Sequence, residues 1–260
     1  MIIHFNKYQG TGNDFIMLNN LDGCYKDLSM EQVRILCDRR FGVGADGLIR
    51  INSKEGYDFE MDYFNSDGSK SFCGNGARCS VAFAETLGIE VAETNFYAID
   101  GAHKAWKKEA FISLEMNDVE KVLTEGSDFV LYTGSPHYIH FEEGNPKKDI
   151  VEYGKVIRYS ESYLKEGINV NLVHCESDHV IQVQTYERGV EDETYSCGTG
   201  VTASAIATSF LKNTFGHHEY KVIVKGGELR VTFERLSDQH FAKIRLSGPA
   251  TFVFNGSINV

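Results

Sequence analysis

The chain has 260 residues, 42% of them hydrophobic and 24% charged, enough to bury one large core or two of ordinary size. A formal net charge of −11 argues against nucleic acid or an anionic membrane as partner, because both demand clustered Lys and Arg. No apolar run approaches the roughly 20 residues that cross a bilayer, and MIIHFNKYQGTGNDF lacks the basic, apolar, small-residue order of a signal peptide, so a cytosolic protein is expected.

From the N-terminus, residues 29–40 open with Ser29-x-x-Gln32, a capping-box pattern, and set Val33, Leu36 and Cys37 on one face. This predicts an amphipathic helix packed on the outside. Apolar and polar residues alternate over residues 59–64, 111–116, 180–186, 221–225, 229–234 and 241–246, the period of half-buried strands. Two further helices are predicted, over residues 75–87 with Ala77, Val81, Ala82, Phe83 and Ala84, and over 199–212 with Val201, Ala203, Ala205, Ile206, Ala207, Phe210 and Leu211. Both are apolar nearly all round, as helices buried on most sides are. With three prolines and nothing that reads as a flexible linker, any domain boundary must be compact.

Those two helices open alike, with Cys73-Gly74-Asn75-Gly76-Ala77 and Cys197-Gly198-Thr199-Gly200-Val201. The simplest architecture is α+β, with two pseudo-symmetric lobes, each a curved, mostly antiparallel sheet wrapped around a central buried helix. We expect one lobe over residues 1–117, joined by a C-terminal strand at about 249–260, and the other over 118–248, with the two helix starts facing across a cleft.

A cysteine just before a helix has its thiolate stabilised by the macrodipole and by outward backbone N–H groups, which lower its pKa from about 8.5 toward neutrality. The flanking glycines let the backbone approach a ligand and form a nest suited to a carboxylate. Inverting an α-carbon needs one group to remove a proton from one face and another to return one to the opposite face. A matched pair of thiols, Cys73 and Cys197, supplies both, and the aimed amides stabilise charge on the substrate carboxylate in a dry site. Neither a metal nor an organic cofactor is demanded. Alone, either Cys-Gly motif would pass for packing, the reading given to Cys24, Cys37, Cys79 and Cys175.

At these residues the chain resembles the diaminopimelate epimerases over nearly its whole length. The landmarks in order are Gly10-Thr11-Gly12-Asn13-Asp14-Phe15, Arg40-Phe41-Gly42-Val43-Gly44-Ala45-Asp46-Gly47, Phe64-Asn65-Ser66-Asp67-Gly68-Ser69, Cys73-Gly74-Asn75-Gly76-Ala77-Arg78-Cys79, Pro136-His137, Asn169-Val170, Glu187-Arg188-Gly189 and Cys197-Gly198-Thr199-Gly200. The resemblance implies cofactor-independent interconversion of LL- and meso-diaminopimelate, on the way to lysine and peptidoglycan. It implies Cys73 and Cys197 as the acid and base, and Gly74, Asn75, Gly198 and Thr199 around the reacting carboxylate. Asn13, Asn65, Asn169, Glu187 and Arg188 would line the pocket, with Arg188 suited to a distal carboxylate. His137 and Glu187 match positions that adjust the thiol pKa values. Two departures stand out: Ser135 replaces the usual Asn of Gly-Asn-Pro-His, and residues 187–197 run one longer than the commonest spacing, which a surface bulge would absorb.

Other signals are set aside. Gly42-x-Gly44-x-x-Gly47 follows a helix and precedes a strand, the reverse of a dinucleotide fingerprint, and His217-His218 lacks partners at metal-ligand spacing. Asn255-Gly256-Ser257 is a glycosylation acceptor without use in the cytosol. The rival readings are a proline or hydroxyproline racemase, disfavoured by Asn75 and Glu187-Arg188, a thiol redox module, disfavoured by the lack of Cys-x-x-Cys, and an inactive amino-acid binder, which would have no reason to keep both thiols. Oligomeric state is open, a homodimer being one allowed form.

Overall fold

The structure, a computed structural model, describes residues 1–142, 144 and 148–260. Its elements in chain order are β1 (Ile2–Gly10), β2 (Asn13–Asn19), α1 (Met30–Cys37), β3 (Gly47–Asn52), β4 (Phe59–Asn65), α2 (Gly74–Thr86), β5 (Glu93–Ala98), β6 (Gly101–Lys108), β7 (Phe111–Glu115), β8 (Val122–Glu125), β9 (Asp128–Tyr132), β10 (Pro136–Phe141), α3 (Ile150–Arg158), β11 (Asn169–Cys175), β12 (Val180–Glu187), β13 (Asp192–Thr194), α4 (Gly198–Leu211), β14 (Gly216–Val224), β15 (Gly227–Arg235), β16 (Phe241–Pro249) and β17 (Thr251–Asn259). The chain divides into two compact units, Met1–Leu114 with Gly248–Val260, and Glu115–Ser247. Each is α+β, a mostly antiparallel sheet around one buried helix, as the sequence repeat leads one to expect.

In the first unit the strands lie in the order β17, β1, β2, β3, β4, β5, β6, β7, and only β2 with β3 and β4 with β5 are parallel. A parallel pair needs a crossover connection, which α1 supplies for the first and α2 for the second. The second unit runs β8, β9, β10, β11, β12, β14, β15, β16, with β13 folded back on β12. Here β10 with β11 and β12 with β14 are the parallel pairs, and α3 and α4 their crossovers. The internal repeat is therefore larger than the Cys-Gly-x-Gly match, and α3 is the counterpart of α1.

Each sheet is covered on both faces around its parallel strands. Along β2, Phe15 and Met17 enter one core with Ala77, Val81 and Phe83 of α2, while Ile16 and Leu18 enter another with Val33, Leu36 and Cys37 of α1. The strand period of two accounts for the split. In the second unit Val173 and Val183 pack with Val201, Ala205 and Ile206 of α4, whereas Val170, Leu172 and Tyr186 pack with Ile150 of α3. Strands buried this way read as unbroken apolar runs rather than alternations.

Helix α1 carries the expected capping box, Ser29 Oγ accepting from the Gln32 amide, but stops at Cys37 rather than at residue 40. Asp38 turns to an extended conformation, and its carboxylate takes the amides of Arg40 and Phe41 at 2.7 Å each, a local bond that competes with another helical turn. No alternation covers α3, although Asp149 caps it through the amides of Val151 and Glu152. Gly154 lets α3 sit against Tyr186, because a Cβ there would lie 2.5 Å from Tyr186 Cβ.

Helices α2 and α4 are the central ones. Residues 200–209 of α4 are all buried, and the hydroxyls of Thr202, Ser204 and Thr208 are satisfied inside the helix, Ser204 donating to Gly200 O at 2.8 Å and Thr208 to Ser204 O at 2.8 Å. In α2, Ser80 bonds Gly76 O likewise at 2.9 Å. If α2 is the core of its unit, Phe83→Ala costs about 3–5 kcal/mol of unfolding free energy, whereas Lys155→Ala on the exposed side of α3 stays within about 0.5 kcal/mol. Denaturant melts of the two variants check this, and equal midpoints would remove α2 from the core.

Candidate active site

In the first unit Cys73 is the N-cap of α2, extended at φ −137° and ψ 115°, and its carbonyl accepts the first helical bond from Ala77 at 2.8 Å. Its sulfur and the amides of the first turn thus emerge at one point, where the helix dipole is positive. A Cβ on Gly74 would meet nothing closer than Leu114 at 3.9 Å, while one on Gly76 would lie 2.9 Å from Ile49 Cδ1. Gly76 therefore lets α2 settle onto the sheet.

Behind the helix start, the Asn75 carboxamide accepts from Arg78 Nη2 at 2.9 Å and donates to Asn13 Oδ1 at 2.6 Å. Asn13 in turn donates to Asp46 at 2.9 Å, and Asp46 binds Arg39 at 2.8 Å. The orientation of both amides is fixed, because each contacts a group that can only donate or only accept. Arg78 is wholly buried, also bonds Thr11 Oγ1 at 2.9 Å, and has no hydrogen-bond partner for Nη1 among the described residues. Although burial pushes the neighbouring Asp14 carboxyl up, bonds from Arg39 and Lys7 outweigh it and hold it at about 2. Asn65 donates to Ser69 Oγ at 3.0 Å and accepts from Ser71 at 3.2 Å, closing the turn after β4.

In the second unit Cys197 is the N-cap of α4, extended at φ −115° and ψ 107°. Its sulfur lies 3.4 Å from Thr199 Oγ1, which is 2.8 Å from Nε2 of the buried His137. Thr133 Oγ1 also donates to Thr199 O at 2.8 Å. On the other side of the ring, His137 Nδ1 lies 3.1 Å from Asn171 Nδ2. Burial, with repulsion from Arg188, pushes His137 down to about 3, so the ring is neutral at ordinary pH. A Cβ on Gly200 would lie 2.5 Å from Asn171 Oδ1 and 3.2 Å from His137 Cε1, so this glycine makes room for the ring and its partner.

Asn169 donates to Ser135 Oγ at 2.8 Å and Pro136 O at 3.2 Å, and accepts the Arg188 amide at 2.9 Å. Ser135 is thus joined to the site through Asn169. The Arg188 guanidinium is exposed and donates to Glu166 O at 2.7 Å. Glu187 is half-buried at the end of β12, and burial raises its carboxyl above the ordinary value. The run before Cys197 forms a hairpin in which Glu187 pairs with Asp192 across the turn at 188–191, with Glu191 at φ 59°.

Within their own units, then, Cys73, Gly74, Asn75 and Asn13 cluster, as do Cys197, Thr199, His137, Asn169 and the Arg188 backbone, while Asn65 sits in the neighbouring turn. Arg78, Asp46, Thr133, Asn171 and Thr185 hold these clusters; Arg78 and Asp46 lie inside the motifs quoted above without a role assigned there, and Thr133, Asn171 and Thr185 carry no signal of their own in the sequence. Cys37 and Cys79 are buried packing residues, with burial pushing their thiols up to about 12, and Cys175 is half-buried, whereas Cys24, also expected to be a packing residue, is exposed in the turn after β2. Glycines 42 and 44 lie in the turn between α1 and β3, which Gly47 opens, and His218 is occupied by Thr214 O and Ser209. Among the described residues, no group of His, Cys, Asp or Glu is arranged to hold a metal. A cavity of about 570 Å³ bordered by His4, Asn19, Cys24, Tyr25 and Ser257 contains none of these site residues.

The diaminopimelate epimerase family model matches residues 5–109 and 129–253. The chain belongs to that family. It is 47% identical to the diaminopimelate epimerase of Flavobacterium psychrophilum over 97% of this chain and 98% of that one. It is 38% identical to that of Chlorobaculum tepidum, covering 96% and 99%. Among solved structures, a Bacillus anthracis phenazine biosynthesis protein of the PhzF family superposes with a TM-score of 0.76 at 15% identity over the whole of both chains. A hydroxyproline epimerase from Agrobacterium vitis, with bound trans-4-hydroxy-L-proline, gives 0.67 at 12% identity over 99% and 91%. These two share the fold.

For a member of the diaminopimelate epimerase family the buried neutral histidine has a stability consequence. Its pKa is lowered from 6.5 to about 3, so below 6.5 the unfolded chain takes up a proton that the native ring refuses. His137 therefore contributes fully above that value and opposes folding increasingly as pH falls toward 3, by up to about 1.4 kcal/mol per pH unit. Denaturant unfolding of wild type and His137→Gln between pH 7 and 4 should show a shallower acid slope in the variant; parallel slopes would contradict a neutral buried ring. Gly200→Ala should cost about 1–3 kcal/mol by overpacking, read as a lowered midpoint.

Proposed function

We propose that this chain interconverts LL- and meso-diaminopimelate by two-base proton transfer between Cys73 and Cys197, in the cytosol, as a step toward lysine and peptidoglycan. The observation that carries this reading is a duplicated one: a cysteine at the N-cap of a buried helix, twice, in a chain of this family. In one direction a thiolate takes the α-proton, forming S–H as C–H breaks, and the other thiol delivers its proton to the opposite face, leaving a thiolate. The reverse reaction exchanges the roles, so no net proton or electron is consumed.

The carbanionic transition state places charge on the adjacent carboxylate, and the helix-start amides at Gly74, Asn75, Gly198 and Thr199 stabilise that charge without reorganising. Asn75 and Asn13 arrive with orientations set by Arg78 and Asp46. Arg188 takes the distal carboxylate, and Glu187 and Asn65 take ammonium or carboxylate groups of the two-headed zwitterion. Asn169 is committed to Ser135, Pro136 and the Arg188 backbone, so a direct bond to substrate requires it to release one of them. His137 bears on the Cys197 thiol through Thr199, and Glu187 is assigned its influence on a thiol by the family resemblance.

The test is incubation of reduced protein with LL-diaminopimelate, and separately with L-proline, in deuterated water. Inversion with α-deuterium incorporation is expected for diaminopimelate alone; incorporation into proline only would replace the substrate, and into neither would end the racemase reading. Cys73→Ala and Cys197→Ala should each lower inversion by at least about 10³-fold. Full activity in either would refute the two-base mechanism.

A further inference from the structure

The polar chain behind Cys197 has a direction. Asn171 lies on β11 with its amide nitrogen 3.1 Å from the Tyr138 carbonyl, which can only accept, while Thr185 Oγ1 of β12 donates to Asn171 Oδ1 at 2.8 Å. A flipped amide would set its oxygen against the Tyr138 carbonyl, so the nitrogen faces His137 and its second hydrogen goes to Nδ1 at 3.1 Å. Nδ1 is thereby an acceptor. A neutral imidazole with an accepting Nδ1 carries its hydrogen on Nε2. Among the described residues, Nε2 has Thr199 Oγ1 at 2.8 Å and Asn169 Nδ2 at 3.5 Å as neighbours. The Asn169 hydrogens already go to Ser135 and Pro136, so the ring proton goes to Thr199. Thr199, accepting there, keeps its own hydroxyl hydrogen for the sulfur 3.4 Å away.

We propose that Asn171, braced by Thr185, is a positioning residue that locks His137 in the Nε2–H tautomer and so makes Thr199 a hydrogen-bond donor to Cys197 Sγ. A donor at the sulfur favours the thiolate; in the opposite tautomer Thr199 would donate to the ring, and the sulfur would face an acceptor that favours the thiol. Asn171 therefore biases the protonation of Cys197 without touching it. Gly200 belongs to the same device, since any side chain there would collide with Asn171 Oδ1. Of the charged groups in the unit, Arg188 acts on the ring only by repulsion, and Glu187 on β12 is itself held toward its neutral form by burial. The inference deepens the proposed function, resting on Cys197 as acid and base, but its direct readouts need no substrate.

The experiment is imidazole ¹⁵N NMR of the full chain, with His137 assigned by its loss in His137→Gln, together with site-resolved alkylation of Cys197 by iodoacetamide across pH, read by peptide mass spectrometry. Wild type should show Nε2–H. Asn171→Asp, which offers Nδ1 an acceptor, should convert the ring to Nδ1–H and raise the Cys197 alkylation midpoint by about one pH unit. Thr185→Val should move both readouts the same way by less. Nδ1–H in the wild type, or an unmoved midpoint in a ring-flipped Asn171→Asp, would overturn the proposal, and the wild-type spectrum decides it even if the variants fail to fold. Loss of diaminopimelate turnover in the wild type with both signatures intact would count against the proposed function and leave the tautomer lock standing.

Discussion

The surroundings of Cys73 and of Cys197 depend on one constraint: the helix that each cysteine caps must be buried along its length. A helix start offers its dipole and its amides at one end only, and an exposed, fraying helix would offer them to water. In α4 the solution is small side chains, Ala203, Ala205 and Ala207, with serine and threonine hydroxyls turned back onto the helix carbonyls. The sheet can then close on every side without stranding a polar group. The parallel pairs have the same origin, since a helix crossing the sheet between two strands is held by both of them.

The shared motif conceals different physics at its second glycine. At Gly76 the missing Cβ is replaced by Ile49, Met61 and Phe15, an apolar contact that seats α2. At Gly200 it is replaced by Asn171 and His137, a polar contact that seats a hydrogen-bonded chain. The orienting groups differ as well. Asn75 is held by Arg78, a permanent cation, whereas Thr199 is held by His137, a neutral ring whose direction must be imposed. Two halves that look alike in sequence thus present chemically unlike surroundings to their thiols.

This asymmetry marks where sequence reasoning stops. Apolar content around the whole circumference exposes α2 and α4, the capping box exposes α1, and alternation exposes β4, β12, β14, β15 and β16, all local signals. Strand β2 escapes because it is buried on both faces and reads as an unbroken apolar run, and β11 because its polar positions, Asn169 and Asn171, are buried too. The end of α1 is misjudged because Asp38 makes its own turn. At the site, Cys73, Cys197 and their glycines are legible from chemistry and duplication, and Asn13, Asn169 and His137 only through resemblance. Asn171 and Thr185 are ordinary strand residues until β10, β11 and β12 are laid side by side.

The register of those strands converts separate letters into a device. His137 pairs with Asn169 in the parallel ladder, Asn171 lies one pleat further along the same face, and Thr185 is directly opposite Asn171 across the antiparallel pair. A slip of one residue in either ladder would turn Asn171 or Thr185 to the opposite face. There α3 packs against Val170, Leu172 and Tyr186, and an amide would meet only apolar neighbours. The hydrophobic partition of β11, with Val173 toward α4 and Val170 and Leu172 toward α3, therefore does more than fill two cores. By fixing the register it decides which ring nitrogen of His137 meets a donor, and through that ring what the sulfur of Cys197 meets.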